Sequence, residues 1–320
     1  MKGDRQDRLR QLRQRLAQGD IAGARRVVES AGAGPVQSGR AGSSVAGATS
    51  GPLVAPDDPA GPGDSTPPES LTRPDLRDLP RLGEYSGPRG VCAHVRQSLR
   101  EALPEQAGLA RQFKAILRGA RQRWDELAAP VQLCHLADAD VHEVLLLDVL
   151  TLGAKDSRWV WMAGLMQWQD RDLWLDHFVA RPQSEAPAVL EALSGRLERS
   201  SVVVSFGGAK GFWPLLQGRM ERCGVAPWSL PVHMDLLRPA RDLWKGTLPN
   251  GRRETLEQRL WGRSRRADGW RILAAAAAMT AGDDRLARGI VRQGQLDLAA
   301  LGRLLCAVLT GCEDLVGPAE

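Results

Sequence analysis

The segment from Val144 to Gly153 constrains the fold of this chain more than any other stretch. Four large apolar residues in succession lead directly into a single acid, Asp148. An unbroken apolar run of this kind is typical of a strand buried on both faces, at the centre of a sheet covered by helices. Ligands of open α/β sheets bind at the carboxyl ends of such strands, so Asp148 is a candidate site residue. The alternative is a strand-end acid whose side chain bonds nearby backbone N–H groups.

The composition is that of a globular protein with extensions. The 320 residues are 43% hydrophobic and 25% charged, which is enough to build a sizeable core. The formal net charge is +5, and nearly all of the 43 basic residues are arginine. Guanidinium groups bind phosphate bidentately, so this bias is compatible with a nucleic-acid partner; a GC-rich genome would produce the same bias.

Several other classes of protein are disfavoured by the sequence. The five cysteines are scattered and form no Cys-x-x-Cys or Cys/His cluster, so neither a disulfide framework nor a zinc site is expected. The polar start resembles no secretory signal. No apolar run approaches the roughly 20 residues that span a bilayer, so a cytoplasmic protein without a membrane partner is predicted.

Composition along the chain predicts five segments. Residues 1–30 are predicted to form a short amphipathic, basic helix suited to docking on a partner protein. Residues 31–90 are rich in Gly, Pro, Ala and Ser and predict a disordered linker, because they carry too few apolar side chains to offset the entropy of ordering. A helical extension at 91–143, the main domain at 144–312 and a tail at 313–320 complete the chain.

Within the ordered part, strand and helix signals alternate in a recognisable order. A possible strand at 91–97 precedes helices at 98–128, and the central strand is followed by a hairpin, with Gln169–Asp172 as its turn. Further strands are predicted at 201–206 and 231–234. The remaining predicted helices are 184–197, one from about Phe212, 236–244, 254–262, 271–281, 284–293 and 296–309. This order predicts an α/β fold with three layers, in which helices flank a mixed central sheet.

Several sequence blocks occur in a fixed order after the central strand. They are Arg181-Pro-Gln-Ser-Glu185, Val204-Ser-Phe-Gly-Gly-Ala-Lys-Gly-Phe-Trp-Pro-Leu-Leu216, His233-Met-Asp-Leu-Leu-Arg-Pro-Ala-Arg241, Thr255-Leu-Glu257 and Gln293-Gly-Gln-Leu-Asp-Leu298. Together with the segment at Asp148, they resemble the YprB-type ribonuclease H-like domain of the DEDD exonucleases. The resemblance covers about residues 144–310 and implies a ribonuclease H-like fold.

The resemblance also implies a specific chemistry. DEDD exonucleases use four carboxylates to hold two divalent cations, Mg²⁺ or Mn²⁺, one of which activates water while the other stabilises the leaving oxygen. By position, this chain keeps two of those carboxylates, Asp148 and Asp297. It has Leu150 in place of a Glu, Phe212 in place of an Asp, and Gln293 in place of the general base. The resemblance therefore implies a degenerate site that binds either one cation weakly or none.

Other candidate residues have both a functional and a purely structural interpretation. A cluster of arginines around a predicted helix is the strongest candidate for phosphate contact, although a solvated helix surface is an equal alternative. These residues are Arg252, Arg253, Arg259, Arg263, Arg265 and Arg266. Asp156 and Asp235 are nearby acids that could replace a lost ligand, but Asp235 is expected to cap the next helix. His177 and His233 are expected to be partly buried and hydrogen-bonded.

Three functions follow from these patterns. The first is a nuclease-like protein that binds nucleic acid without cutting it. The second is an active or residual metal-dependent 3′–5′ exonuclease that uses Asp148, Asp297 and a further acid. The third is a protein-interaction scaffold that acts through residues 1–30. Only nucleic-acid binding predicts an affinity that falls steeply as salt concentration rises.

Overall fold

The computed structural model describes residues 80–123, 130–153, 157–226, 231–245, 255–256, 258 and 269–311. The predicted N-terminal helix, most of the predicted linker, the tail, Asp156 and all six arginines of the predicted basic cluster lie outside these residues. Among the described residues, no helix is long and apolar enough to cross a bilayer.

Two strands of the sheet precede the long apolar strand in the chain, and four follow it. The strands are β1 (Gly83–Gly87), β2 (Gly90–Ser98), β3 (Val144–Leu152), β4 (Trp159–Gln169), β5 (Asp172–Val179), β6 (Val202–Ser205) and β7 (Val232–Asp235). The helices are α1 (Leu99–Ala102), α2 (Ala107–Arg123), α3 (Ala186–Leu197), α4 (Trp213–Arg222), α5 (Leu237–Leu243), α6 (Gly269–Thr280) and α7 (Arg285–Thr310). Short 3₁₀ turns connect several of these elements.

The seven strands of the described residues form one mixed sheet in the order β1-β2-β5-β4-β3-β6-β7. Strands β3, β6 and β7 run parallel, whereas β3 and β4, β4 and β5, β2 and β5, and β1 and β2 pair antiparallel. The apolar run of β3 therefore lies inside the sheet, with neighbours on both sides. This position explains why four consecutive large apolar residues are tolerated there, since both faces of the strand are covered.

Helices cover both faces of the sheet and confirm the three-layer α/β prediction. On one face, Leu145 and Leu147 of β3 pack in a cluster with Val189 of α3 and Leu216 of α4. On the other face, residues of β4 and β5 pack against α6 and α7. Trp161 and Trp168 of the hairpin are buried in this arrangement.

The structure differs from the sequence prediction at three points. Strand β1 lies within the predicted linker of residues 31–90, because backbone hydrogen bonds to β2 hold a Gly- and Ser-containing edge strand without apolar alternation. Strand β2 begins the predicted helical extension but belongs to the central sheet. The two helices predicted at 284–293 and 296–309 are one continuous helix, α7, since Gly294 lies in a helical interior where it allows a close contact.

Candidate functional site

Asp148 was predicted at the carboxyl end of its strand, but it lies in the middle of β3, because pairing with β4 continues to Leu152. It lies on the face of β3 that α7 covers. Its register partner on β4 is Gly164, and the partner of Gly164 on β5 is His177. Directly opposed residues of antiparallel strands project from the same face, so Asp148, Gly164 and His177 form one row across three strands. Because Gly164 has no side chain, no side chain separates Asp148 from His177 in this row.

The imidazole of His177 occupies a slot between two glycines. A Cβ atom at Gly164 would lie 3.0 Å from Nε2 of His177, and one at Gly294 of α7 would lie 2.8 Å from the same atom. His177 has no exposed surface. An isolated glycine inside a strand commonly marks such a close approach, and Gly164 is the sequence signal that identifies this one.

The prediction of a partly buried, hydrogen-bonded His177 was wrong. Neither ring nitrogen has a hydrogen bond of good geometry among the described residues. Burial lowers the pKa of His177 to about 4, against the opposing effects of the Asp176 and Asp148 carboxylates and of the nearby Gly294 backbone. His177 is therefore held neutral in the interior at neutral pH.

Asp297 is carried over this row by α7. Its side chain is buried, and its Oδ1 atom accepts a hydrogen bond from Nε2 of Gln293 at 2.9 Å. The same helix segment contacts the row directly, since Leu298 lies 3.4 Å from the Cβ position of Gly164. The fold thus brings Asp148 and Asp297 to one interface, between the sheet and α7. Gln293 lies beside Asp297 as the amide donor to its carboxylate.

Leu150 and Phe212 contact apolar surroundings. Leu150 is two residues beyond Asp148 and packs against the apolar cluster that includes Met279 of α6 and Val291 of α7. Phe212 precedes α4 and packs against the cluster on the opposite face of the sheet. Its ring would lie 2.8 Å from a Cβ atom at Gly208, so this glycine is needed for the loop to close over the ring.

Asp235 was predicted to cap the following helix, but the N-cap of α5 is Leu236, and Asp235 is the last residue of β7. Its side chain instead joins the neighbouring loop to the first residue of α5. Its carboxylate accepts hydrogen bonds from the backbone N–H groups of Leu237 at 3.0 Å, Gly207 at 2.6 Å and Ala209 at 2.9 Å. These three bonds engage both carboxylate oxygens in joining the loop after β6 to the start of α5. Asp235 is consequently occupied as a structural acceptor.

His233 matches its prediction. Its Nε2 atom lies 2.8 Å from the hydroxyl oxygen of Ser205, and its ring stacks on Trp213 at a centroid distance of 4.4 Å. Burial lowers the pKa of His233, while the Asp235 carboxylate opposes that shift. Ser205 is completely buried, so the pair has a packing role and no exposed nucleophile.

A charged cluster lies on the face of β5 opposite to His177. The buried carboxylate of Asp176 contacts Nε2 of His94 at 2.9 Å, Nη1 of Arg96 at 3.2 Å and Nη2 of Arg196 at 3.0 Å. Burial alone would raise the pKa of Asp176, but the hydrogen bond from His94 and the charges of Arg196 and Arg96 outweigh it and lower the pKa. The sequence interpretation missed this cluster, because its members come from three distant segments.

The carboxyl ends of the parallel strands carry exposed basic residues. Lys210 lies in the loop after β6, and Arg238 and Arg241 lie on α5, which follows β7. Arg238 has an ion pair with Asp242 at 3.9 Å, and both side chains are more than half exposed. Such a pair contributes little to stability and leaves the guanidinium accessible to other anions.

Comparison with known proteins agrees with this fold. A family model of the RNase H superfamily matches residues 145–307, just over half of the chain. The match begins in β3, the buried strand that contains Asp148, and closes within α7, ten residues beyond Asp297. No curated protein matches the sequence.

Proposed function

The chain belongs to the RNase H superfamily, and from that premise we propose that it binds nucleic acid through a degenerate, YprB-type exonuclease-like domain without hydrolysing it. The order of the sequence blocks around Asp148, His233 and Asp297 supports the YprB-type assignment. The superfamily fold favours a nucleic-acid ligand over other classes.

One observation carries the proposal of degeneracy. The three positions that differ from the resembled exonucleases each have a packing or hydrogen-bonding role of their own. Leu150 packs in an apolar cluster, and Phe212 packs its ring over Gly208. Gln293 donates its amide N–H to Asp297 and has no group that accepts a proton from water at neutral pH. Each of the three side chains therefore has contacts that suit its own chemistry.

The donor set does not fit two divalent cations. Hard cations such as Mg²⁺ require oxygen ligands, and a pair of them requires several anionic ones. Within the described part of the chain, no group of three or more His, Cys, Asp or Glu side chains could hold a metal ion. Asp148 and Asp297 alone would bind one Mg²⁺ or Mn²⁺ weakly, with water supplying the other ligands.

Basic residues support the nucleic-acid ligand. Lys210, Arg238 and Arg241 are exposed at the edge of the sheet where open α/β folds bind their ligands. The arginine cluster at 252–266 adds six cations to the sequence that follows α5. Contacts of this type neutralise phosphates and make affinity depend on salt concentration.

The test combines cleavage and binding on the full chain. Labelled 30-nucleotide DNA and RNA probes, single- and double-stranded, are incubated with micromolar protein in 5 mM Mg²⁺ or Mn²⁺, and binding is followed by anisotropy from 50 to 300 mM salt. We expect salt-dependent binding with no cleavage. Changing Arg252, Arg253, Arg265 and Arg266 to Glu should lower the affinity and flatten its salt dependence.

Each competing function has its own signature in this experiment. Metal-dependent cleavage that disappears in Asp148→Ala would overturn the proposal in favour of a residual exonuclease. Absence of binding at 50 mM salt would overturn it as well. In that case, loss of a protein partner on deletion of residues 1–30 would identify the scaffold function.

A further inference from the structure

Helix α2 is basic along its whole length. Its 17 residues include five cations, Arg111, Lys114, Arg118, Arg121 and Arg123, and no acidic residue. The helix precedes the segment that matches the superfamily model, so its charge is not explained by that match. A charged surface helix ordinarily mixes both signs, because acid–base pairs three and four residues apart stabilise it. This helix has only one sign.

Three of these cations share one side of the helix. Arg111, Lys114 and Arg118 are spaced by three and four residues, which places them along one stripe of a helix with 3.6 residues per turn. Arg111 and Arg118 are exposed. The apolar residues Leu109, Phe113 and Leu117 are buried in the core on another side of the helix. The stripe extends over about 10 Å of helix axis.

The stripe is not neutralised within the described part of the chain. Arg111, Lys114 and Arg118 have no salt bridge to any described residue. Lys114 has a different contact, with Nζ 4.8 Å above the ring of Trp168, which fixes the direction of this side chain. The nearest acids in the sequence lie outside the helix, at Glu105 before it and at Asp125 and Glu126 after it.

Helix α2 packs on the helix that carries Asp297. The Cβ position of Gly302 in α7 lies 3.5 Å from Cδ2 of Leu109 in α2 and 3.6 Å from Cδ2 of Leu146 in β3. The basic stripe therefore belongs to the same layer of the fold as the candidate site. A nucleic-acid strand that approaches the site on this side would meet a row of guanidinium and ammonium groups.

We infer that the stripe of Arg111, Lys114 and Arg118 is a docking surface for the phosphate backbone of a nucleic acid. The inference rests on the proposed function and adds a surface outside the matched segment. Charge complementarity identifies the partner as a polyanion. A lipid surface fits less well, because interfacial helices insert exposed apolar side chains, whereas Leu109, Phe113 and Leu117 of α2 are buried in the core.

The experiment compares two double variants of the full chain with equal loss of charge. Arg111→Gln/Arg118→Gln removes two cations of the stripe, and Gln retains good helix propensity. Arg199→Gln/Arg285→Gln removes two exposed cations elsewhere on the domain. Affinity for a 30-base-pair DNA duplex, a duplex RNA and a single strand is measured by anisotropy at 50–300 mM salt. Circular dichroism and thermal unfolding verify that both variants are folded.

We expect the stripe variant to reduce the slope of log affinity against log salt by about 2 on duplex DNA, since each lost phosphate contact removes about 0.9. The matched variant should leave the slope near that of the wild type. Equal slopes for the two variants, with intact wild-type binding, would overturn this inference and leave the proposed function standing. Absence of wild-type binding at 50 mM salt would overturn both. Loss of binding to phosphatidylserine vesicles, with nucleic-acid binding unchanged, would assign the stripe to a lipid surface instead.

Discussion

Gly294 of α7 lies directly over the imidazole of His177 on β5, and a Cβ atom at Gly294 would be only 2.8 Å from Nε2 of that ring. The ring is fully buried and cannot move toward solvent. This contact sets how closely α7 approaches the sheet beside Asp148. It also explains why a glycine stands in the middle of a 26-residue helix, where it is intrinsically unfavourable.

Adding one methyl group at this contact should destabilise the protein. Gly294→Ala gains up to about 1 kcal/mol of helix propensity, but the clash with a rigid buried ring costs about 1–3 kcal/mol. The control is Gly289→Ala in the same helix, where nothing lies within 4 Å of the new Cβ atom. Urea unfolding should show a lower free energy of unfolding for Gly294→Ala than for the wild type, and no decrease for Gly289→Ala. Equal stabilisation of both would contradict the proposed contact.

Acid should weaken the fold through His177. Its pKa is about 4 in the folded protein and about 6.5 in the unfolded chain. Below pH 6.5 the unfolded state therefore binds a proton that the folded state does not, and stability falls as pH is lowered. The expected loss is about 2 kcal/mol between pH 7 and pH 5. His177→Gln removes this contribution.

The measurement is the free energy of unfolding from pH 7 to pH 5 in both proteins. Asp176 and His233 titrate in the variant as in the wild type, so the difference between the two curves isolates His177. The curve of the variant should be flatter. Parallel curves would mean that the folded protein accepts the proton without penalty.

Neutralising Asp176, the buried acid on the face of β5 opposite to His177, should lower the free energy of unfolding. Asp176→Asn leaves Arg96 and Arg196 without their shared buried carboxylate, and breaking a buried ion pair costs about 3–5 kcal/mol. Asp242→Asn is the matched control, because its ion pair with Arg238 is 3.9 Å long and exposed. That change should cost less than about 0.5 kcal/mol. Similar midpoints of chemical unfolding for the two variants would contradict the assignment.

The low pKa of Asp176 fixes the pH range of this effect. A carboxyl group whose pKa is lowered by folding stabilises the protein above its unfolded value, and that contribution disappears as pH falls through the folded pKa. The difference in the free energy of unfolding between the wild type and Asp176→Asn should therefore be largest at neutral pH.

Restoring one acid should not restore a metal site. Leu150→Glu places a carboxylate in an apolar cluster and two residues from Asp148, and we expect a loss of about 2–4 kcal/mol. Leu286→Glu, at a position that is 53% exposed, serves as the control. Because Phe212 and Gln293 still supply no anionic ligand, 5 mM Mg²⁺ or Mn²⁺ should shift the melting temperature of Leu150→Glu by no more than that of the wild type. A metal-dependent rise of several degrees would refute this expectation.

Local patterns predicted the elements whose signal is contained in their own sequence. The apolar run at 144–147 indicated a buried central strand, and alternation and turn residues indicated the hairpin of β4 and β5. Both are confirmed. The break predicted near Gly294 was wrong, because glycine is a weak signal in a long helix and tertiary contact required it there. Strand β1 escaped prediction since backbone pairing, not side-chain pattern, holds it in the sheet.

For the candidate site, the sequence alone determined which chemical groups are available: two carboxylates at Asp148 and Asp297, and Leu, Phe and Gln at the three altered positions. Only the tertiary structure decided how those groups are used. It placed His177 in one row with Asp148 across Gly164, bonded Gln293 to Asp297, and grouped His94, Arg96 and Arg196 around Asp176. The reason is physical: residue type fixes charge and hydrogen-bonding capacity, whereas burial and partners depend on contacts between segments far apart in the chain.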